Sequence, residues 1–500
     1  MKAKLLHFFK NYQSLVWGLL FPLGFAPFHI PFFLYIALLG FFYCLYQHHF
    51  KWTDGLLFGL GLGFVGLSWV YVSIHEYGHL HPALALLLTF LFIGFLSLFY
   101  GLFTLMCKYF QQKDFSPWLI ASCWCATEWL RAHLFGGFPW LLLGFSVHHT
   151  PLENLLPWVG IYGASFVLVL GLASFAYVLN KSRYSVVYSI LGVLLFLSPH
   201  YFLSMPKVES NTQIETAFIQ GNVAMQDKWN QEYFWRQYSY YYNAIMRLLA
   251  PQRLIILPEA AISIPSGYIH QELAGINKKA LQKNSAVLLG IPEASPHHST
   301  HFYNALMGLG HAQGKYYKQQ LVLFGEEIPK IWHPFFEALK IPLVTTLSGD
   351  SKQKPITIFG HPIASLICYE IAYPEILRLQ LPTAEWIVAI SDDGWFGHSF
   401  AMYQHLEMSQ TLSIMSQRQQ IFVNNNGLSS IINEKGDIVK QLPAFQSGTL
   451  KAFIKTSNTS VPWLSFGDYP CMFLAVFLLI LSFSVKQIRR LKSNKAIPAH

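Results

Sequence analysis

Charged residues are scarce in this chain, because Asp, Glu, Lys and Arg together make up 12% of its 500 residues. A soluble globular protein averages about 25% charged residues, so the deficit argues against that class. Hydrophobic residues reach 53% of the chain, which is typical of a membrane protein. The net charge is +9, but no stripe of Lys and Arg interleaved with aromatic residues accompanies it, so nucleic acid is not an expected partner.

Long apolar segments recur in the N-terminal part of the chain. The hydrocarbon core of a bilayer takes a helix of about 20 apolar residues. Segments of this kind predict seven N-terminal spans and one near the C-terminus, at 14–28, 30–46, 55–74, 83–106, 115–131, 157–180, 184–204 and 468–485. We therefore expect a multi-span α-helical membrane domain over 1–204, and a C-terminal membrane helix with a basic cytoplasmic tail over 468–500.

The positive charges indicate how these spans are oriented. With a cytoplasmic N-terminus, the short outside loops carry only Arg131. The inside loops and tail carry many more, among them Lys51, Lys108, Lys113, Lys181, Arg183, Lys486, Arg489 and Arg490. This asymmetry is what the positive-inside rule predicts. It places residues 205–467 outside, on the periplasmic face of the inner membrane in a bacterium with two membranes.

The segment 205–467 has the pattern of an α/β domain. Helical stretches at 231–249 and 400–418 alternate with short apolar runs rich in β-branched residues. These runs predict strands at 216–220, 253–258, 286–292, 364–369, 386–391 and 420–426. Such alternation is typical of layered α/β folds. We therefore expect residues 205–467 to form one compact domain.

Cysteine is rare outside the predicted spans. The chain has six cysteines, and only Cys368 lies within 205–467, so this segment holds no internal disulfide partner for it. A lone thiol in an oxidising compartment indicates a reactive role. A buried, inert cysteine would account for it equally well.

Cys368 ends an apolar strand, which would hold a nucleophile rigidly. A free thiol titrates near pH 8.5, so it needs a base or a nearby cation to react at neutral pH. Glu259, at the end of another predicted strand, could take the thiol proton. Lys318 could stabilise the thiolate and a tetrahedral oxyanion. Taken singly, each of these two residues is more often a solvated surface group.

Three motifs carry these residues: LPEAA with Glu259, YYKQQLV with Lys318 and ICYE with Cys368. Their order and local context resemble the nitrilase superfamily. Further matching stretches extend the resemblance over nearly the whole chain, at 68–78, 128–146, 221–229, 321–329, 393–397, 404–408 and 425–427. Together they resemble the bacterial apolipoprotein N-acyltransferases. The resemblance implies an α/β nitrilase-like domain, an αββα sandwich, joined to the helical membrane domain.

The same resemblance implies roles for individual residues. It makes Glu259, Lys318 and Cys368 the catalytic triad. Supporting or substrate-binding roles fall to Glu326, Tyr369, Glu370 and Trp229. The implied reaction is ping-pong: Cys368 takes an acyl chain from a phospholipid, typically phosphatidylethanolamine, and passes it to the α-amino group of the S-diacylglyceryl cysteine of an apolipoprotein. No metal or organic cofactor is implied.

Four positions depart from the usual family pattern. Leu323 stands where Pro is usual, Met415 where Glu is usual, and Ala389 and Asp392 where Asn is usual. These departures leave open a diverged paralogue with a different acyl acceptor. A membrane-bound nitrilase-type amidase, with water as the acceptor, is a second alternative, and a non-catalytic membrane scaffold is a third.

Overall fold

A computed structural model describes residues 12–111, 116–179, 184–203, 210–296, 301–330, 333–334 and 346–495. The chain divides into two compact units. Unit 1 comprises 1–205, 398–407 and 465–500, and unit 2 comprises 206–397 and 408–464. The domain boundary expected at residues 204 and 205 lies outside the described residues, so the three domain limits stay predictions.

Unit 1 is helical. One helix covers 12–20, and the others span Pro31–Gln47, Trp52–Gly66, Val70–Val72, Pro82–Phe110, Pro117–His133, Leu156–Leu179, Ser185–Phe202 and Tyr469–Lys495. Pro31, Pro82 and Pro117 stand at helix starts, where the fixed φ of proline suits the first turn and its missing N–H has no intrahelical acceptor to lose. Each predicted span contains helical backbone among its described residues.

The apolar helices differ in length. Among the described residues, Pro82–Phe110, Glu153–Leu179 and Tyr469–Arg489 are long and apolar enough to cross a membrane. Two shorter segments are long and apolar enough only when they are taken as one pair, bent by 64°: Trp52–Gly66 and Val70–Tyr77. Shorter apolar helices cover Pro31–Gln47 and Val186–Tyr201. An apolar helical region is therefore confirmed, while the count of eight spans stays a prediction.

Unit 2 contains two mixed β-sheets. The strands are β1 (Ser210–Gln220), β2 (Arg253–Ile256), β3 (Ala286–Ala294), β4 (Phe302–Gly310), β5 (Ala312–Gln313), β6 (Lys315–Tyr317), β7 (Thr346–Leu347), β8 (Ile356–Ile358), β9 (His361–Ile367), β10 (Trp386–Ser391), β11 (Gln420–Asn424), β12 (Ser430–Ile432), β13 (Ile438–Gln441) and β14 (Gly448–Ser457). The first sheet has the order β14-β1-β2-β3-β4-β6, with β7 paired to β4. The second has the order β13-β12-β11-β10-β9-β8-β5.

The middle of each sheet is parallel, and the outer pairs are antiparallel except for β4 with β7, which is parallel. Strands β1, β2 and β3 pair in parallel, as do β9, β10 and β11. All six strands expected from the sequence are confirmed, because buried parallel strands read as continuous apolar runs. Strand β4 was not predicted.

The two sheets pack face to face. Phe218 and Leu254 from the first sheet and Ile363 from the second belong to one buried hydrophobic cluster. A second cluster lies between the first sheet and two helices, Gln231–Leu248 and His270–Gln282. The predicted helix at 231–249 is therefore confirmed, and it forms an outer layer.

Other helices complete unit 2. Pro374–Gln380 lies beside the second sheet, since the Gln380 side chain exchanges two hydrogen bonds with the backbone of Ser365 in β9. Ala401–Ser416 confirms the predicted helix at 400–418; it begins in unit 1 and ends in unit 2. Two short helices span Met225–Lys228 and Pro462–Phe466.

Gly290 in β3 lies against the backbone that carries Glu259. A Cβ atom there would lie 2.3 Å from the carbonyl oxygen of Pro258 and 2.7 Å from Glu259 Cα. Because backbone atoms cannot yield without shifting a strand end, we expect Gly290→Ala to lower the free energy of unfolding by about 1–3 kcal/mol. Thermal unfolding of the detergent-solubilised protein measures this.

Gly275→Ala is the matched control. Gly275 lies on the exposed side of helix His270–Gln282, and a Cβ atom there meets nothing within 4 Å. Alanine is the better helix former by about 1 kcal/mol, so this variant should unfold at the same or a higher temperature. Equal unfolding temperatures for the two variants would contradict the close approach at Gly290.

Candidate active site

A buried lysine lies between two carboxylates in unit 2. Lys318 follows β6 and is only 1% exposed. Its Nζ donates to Glu326 Oε1 at 2.8 Å and to Glu259 Oε1 at 3.5 Å. Glu259 follows β2, and it is also buried. The structure therefore brings three of the sequence-predicted site residues into one charged cluster.

Asn304 of β4 bridges this cluster, and the sequence analysis did not single it out. Its Nδ2 donates to Glu259 Oε1 at 2.6 Å and to Glu326 Oε1 at 3.3 Å. Its carbonyl oxygen accepts from the backbone N–H of Lys318 at 2.9 Å. The only sequence signal was one amide side chain ahead of the apolar run ALMG.

Cys368 sits at a sharp turn. It directly follows β9 and opens the 3₁₀ helix Cys368–Ala372, with a φ of 54°. A left-handed backbone at a residue other than glycine costs of order 1 kcal/mol or more, and such strain is found at functional sites. The thiol is half-buried and is not part of a disulfide. This geometry presents a side chain at the strand end rather than burying it in the sheet.

The surroundings of Cys368 keep its thiol protonated at rest. Burial raises the pKa of Cys368 well above its ordinary value, and the negative charge of Glu259 raises it further. Lys318 and a hydrogen bond with Ser391 act in the opposite direction. A thiol of this kind needs a base within the site before it can attack.

Glu259 has the electrostatics of such a base. Burial raises its pKa, Lys318 and Lys228 lower it, and Glu326 raises it. A base whose pKa lies closer to the operating pH transfers protons more effectively. For Lys318, burial alone would lower the pKa, but Glu326 and Glu259 raise it beyond the ordinary value. Lys318 is therefore a permanent cation at neutral pH.

Glu370 ties the cysteine turn to the lysine segment. Its Oε1 accepts from the backbone N–H groups of Gln319 at 2.6 Å and Gln320 at 3.3 Å, and from the Tyr316 hydroxyl at 2.9 Å. Its Oε2 accepts from the N–H of Ile367 at 2.7 Å. Burial raises the pKa of Glu370 to about 7, against the effect of the backbone donors. This side chain holds two chain segments rather than facing the thiol.

The remaining predicted residues differ in position. Glu326 also accepts the backbone N–H of Val322 through Oε2 at 2.9 Å, which fixes its turn. Tyr369 is buried next to Cys368, with its hydroxyl 3.5 Å from that of Tyr373. Trp229 is half exposed at the end of helix Met225–Lys228. Its exposed indole is available to a ligand.

Two further charged residues reach Glu259. Lys228, which precedes Trp229, is buried, and its Nζ donates to the carbonyl oxygen of Glu259 at 2.8 Å. The same Nζ donates to Asp392, whose own backbone N–H donates to Glu259 Oε2 at 2.9 Å. From the sequence, Asp392 was noted only as a departure from the family pattern, and Lys228 only as part of the matching stretch 221–229.

A possible metal-ligand group lies elsewhere. Within the part of the chain that the structure describes, His148, His149 and Glu153 of unit 1 each offer one ligand atom, and these atoms lie within 4.8 Å of one another. None of the predicted catalytic residues belongs to this group.

Unit 2 thus has two sheets packed face to face. A cysteine, a buried glutamate and a buried lysine lie in the segments that follow their strands. This combination defines a nitrilase-type domain. A family model for carbon-nitrogen hydrolases matches residues 215–460, which confirms that fold. A second model, for the apolipoprotein N-acyltransferase N-terminal domain, matches residues 17–174.

Curated relatives cover most of the chain. Apolipoprotein N-acyltransferase of Coxiella burnetii is 33% identical over 483 residues, which is 94% of this chain and 99% of that protein. The enzyme of the same name from Nitrosomonas europaea is 32% identical over 86% of this chain and 87% of its own. The chain therefore belongs to the apolipoprotein N-acyltransferase family.

A solved structure also aligns with part of the chain. Nit3 of Saccharomyces cerevisiae, a member of branch 10 of the nitrilase superfamily, is 17% identical to this chain. The alignment covers 50% of this chain and 93% of Nit3, with a TM-score of 0.36.

Replacing Glu370 by Gln should weaken both the fold and the site. Both carboxylate oxygens of Glu370 accept hydrogen bonds, one from Gln319, Gln320 and Tyr316 and the other from the N–H of Ile367. In the variant, the NH₂ group of the glutamine side chain replaces one of these oxygens and must therefore face a donor. Leaving a buried donor unsatisfied costs about 1–3 kcal/mol, and we expect a loss of that size in the free energy of unfolding. Thermal unfolding measures it.

Glu375→Gln is the control for this change. Glu375 is partly exposed and pairs with Arg378 one turn away on the same helix. Exposed ion pairs contribute about 0–1 kcal/mol, so this variant should unfold close to the wild type. A wild-type unfolding temperature for Glu370→Gln would show that Glu370 does not hold the two segments together.

Proposed function

We propose that this protein acylates the α-amino group of the S-diacylglyceryl cysteine of apolipoproteins, with an acyl chain taken from a phospholipid through a thioester on Cys368. Membership of the apolipoprotein N-acyltransferase family supports the reaction. The observation that carries the mechanism is the buried cluster of Glu259 and Lys318, both of which act on the pKa of the Cys368 thiol.

The first half-reaction loads the enzyme. Glu259 takes the proton from the thiol while the sulfur of Cys368 attacks the ester carbonyl of the phospholipid. Lys318 stabilises the oxyanion of the tetrahedral intermediate. Collapse of the intermediate breaks the ester C–O bond, and the lysophospholipid oxygen leaves with the proton that Glu259 had taken. Phosphatidylethanolamine is the expected donor.

The second half-reaction transfers the chain. The lysophospholipid leaves, and the α-amino group of the lipoprotein cysteine attacks the thioester carbonyl. Glu259 accepts a proton from the amine as the C–N bond forms. The C–S bond then breaks, and the proton returns to the sulfur of Cys368. The products are an amide and the free thiol, and no metal or organic cofactor takes part.

The other predicted residues support this chemistry. Glu326 pairs with Lys318 and keeps it charged. Glu370 holds the turn at Cys368. We assign substrate contact to Trp229, because a half-exposed indole offers apolar area to an acyl chain or lipopeptide. We assign a supporting role to Tyr369, which is buried directly after Cys368 in the chain.

Both substrates are lipid-anchored, and this suits a membrane enzyme. We propose a multi-pass protein of the bacterial inner membrane, with a helical domain over 1–204 and a C-terminal span within 468–500. Residues 205–467 then form the periplasmic catalytic domain. The apolar helices of unit 1 and the distribution of Lys and Arg support this arrangement.

Formation of the thioester can be measured directly. The purified protein is incubated with phosphatidylethanolamine in detergent micelles, and its intact mass is recorded. We expect a gain of one acyl chain that hydroxylamine removes, and no gain for Cys368→Ala. Cys471→Ala is the control, because Cys471 lies in the C-terminal helix of unit 1. Equal acylation of Cys368→Ala and the wild type would exclude Cys368 as the acyl carrier.

The acceptor distinguishes transferase from amidase. The acylated enzyme is mixed with a diacylglyceryl-cysteine peptide that has a free α-amino group, or with the same peptide N-acetylated. We expect only the free amine to discharge the thioester and gain the acyl mass. Discharge at the same rate with either peptide, with release of free fatty acid, would indicate water as the acceptor. Ammonia release from small amides would then favour the amidase.

A further inference from the structure

The side chain of Lys228 is nearly as deeply buried as that of Lys318. It is 4% exposed, and that of Asp392 is 3% exposed. A lysine is almost never fully buried unless it is paired. The charge of Lys228 meets two oxygens, one from the Asp392 carboxylate and one from the backbone carbonyl of Glu259. The lysine therefore joins the Asp392 turn to the segment that carries Glu259.

Asp392 is held from its other side as well. Its Oδ1 accepts from the backbone N–H of Gly394 at 3.1 Å and from Asn425 Nδ2 at 3.2 Å. Asn425 also exchanges hydrogen bonds with the backbone of Val223. This network fixes the Asp392 backbone N–H, which donates to Glu259 Oε2. The position of one Glu259 oxygen thus depends on the Asp392 turn.

The two oxygens of Glu259 are held by different groups. Oε1 accepts from Asn304 and Lys318, and Oε2 accepts from the N–H of Asp392. The main chain of the same residue is held by Lys228. Hydrogen bonds to both carboxylate oxygens and to the main chain restrict the Glu259 side chain to one orientation. That orientation is what a base needs if it serves first a thiol and then an amine.

We propose that Lys228 and Asp392 form a positioning pair for Glu259, which fixes the general base and sets the charge around it. This inference rests on the proposed function, in which Glu259 is the base for Cys368. Neither residue of the pair is a catalytic residue, because each acts through Glu259. The pair contacts Oε2 and the main-chain carbonyl of Glu259, whereas Lys318 contacts Oε1. It adds one positive and one negative charge.

Removing either charge of the pair should shift the pKa of Glu259 in a definite direction. The charged or titratable groups that face Glu259 or its partners are Lys318, Glu326, Lys228, Asp392, Cys368, Asp393, Glu370 and Tyr241. Lys228 lowers the pKa of Glu259. Removing this cation takes away its lowering effect and leaves the neighbouring carboxylate of Asp392 without its partner, so the pKa of the base rises. Removing the charge of Asp392 while Lys228 remains lowers it.

The test measures the pH dependence of thioester formation with phosphatidylethanolamine in detergent micelles, by intact mass at short times. The acidic limb of the rate reports protonation of the base. We expect Lys228→Met to move this limb up by about one pH unit and Asp392→Asn to move it down. The double variant, which removes both charges, should return close to the wild-type limb. Lys283→Met, at an exposed lysine, should leave the limb unchanged.

Opposite shifts in the two single variants and their cancellation in the double variant would establish the pair. Unchanged limbs, or shifts of both single variants in the same direction, would overturn it. A general loosening of the site would not shift the acidic limb in opposite directions in the two variants. If Lys228→Met does not fold, the limbs of Asp392→Asn and of the double variant still decide. Wild-type thioester formation is recorded in the same series. Its absence would overturn the proposed function, and the pair with it.

Discussion

The charge of Lys318 in the protein interior is the constraint on which the site depends. Burying an ammonium group costs several kcal/mol unless paired carboxylates and hydrogen bonds compensate for it. Glu326 and Glu259 supply the charges, and Asn304 bridges them from a neighbouring strand. These residues lie on or after three strands of the first sheet. The ends of those strands must therefore converge, because a gap at any of them would leave a buried charge without a partner.

Glu370 links Cys368, the proposed nucleophile, to the segment that carries Lys318. The strained backbone at Cys368 persists only where its neighbours fix it. Glu370 fixes it by accepting one N–H from the end of β9 and two from the residues that follow Lys318. The segments that carry the thiol of the second sheet and the ammonium of the first are thus joined by a single carboxylate. Rigid support of this kind is what acyl transfer at two successive substrates requires.

Sequence patterns predicted the strands that carry the site better than they predicted which residues of the site lie close together. Strands that end next to Glu259 and Cys368 were predictable, because buried parallel strands leave uninterrupted apolar runs. The approach of Lys318 to Glu259 was not, since 59 residues separate them and only the family resemblance joined them. Asn304 and Lys228 were missed for a physical reason. A polar side chain is exposed in most proteins, and only its contacts show that it is buried and paired.

The four departures from the family pattern separate into two kinds. Ala389 and Met415 are fully buried, in β10 and in helix Ala401–Ser416, and an apolar side chain there needs no polar partner. Leu323 is half-buried in the turn ahead of Glu326, and it brings no charge. Asp392 differs, because it adds a carboxylate to a buried cluster that already holds Glu259 and Glu326. Such a charge is tolerated only beside a cation, and Lys228 supplies it. The departure at Asp392 therefore changes the charge around the proposed base.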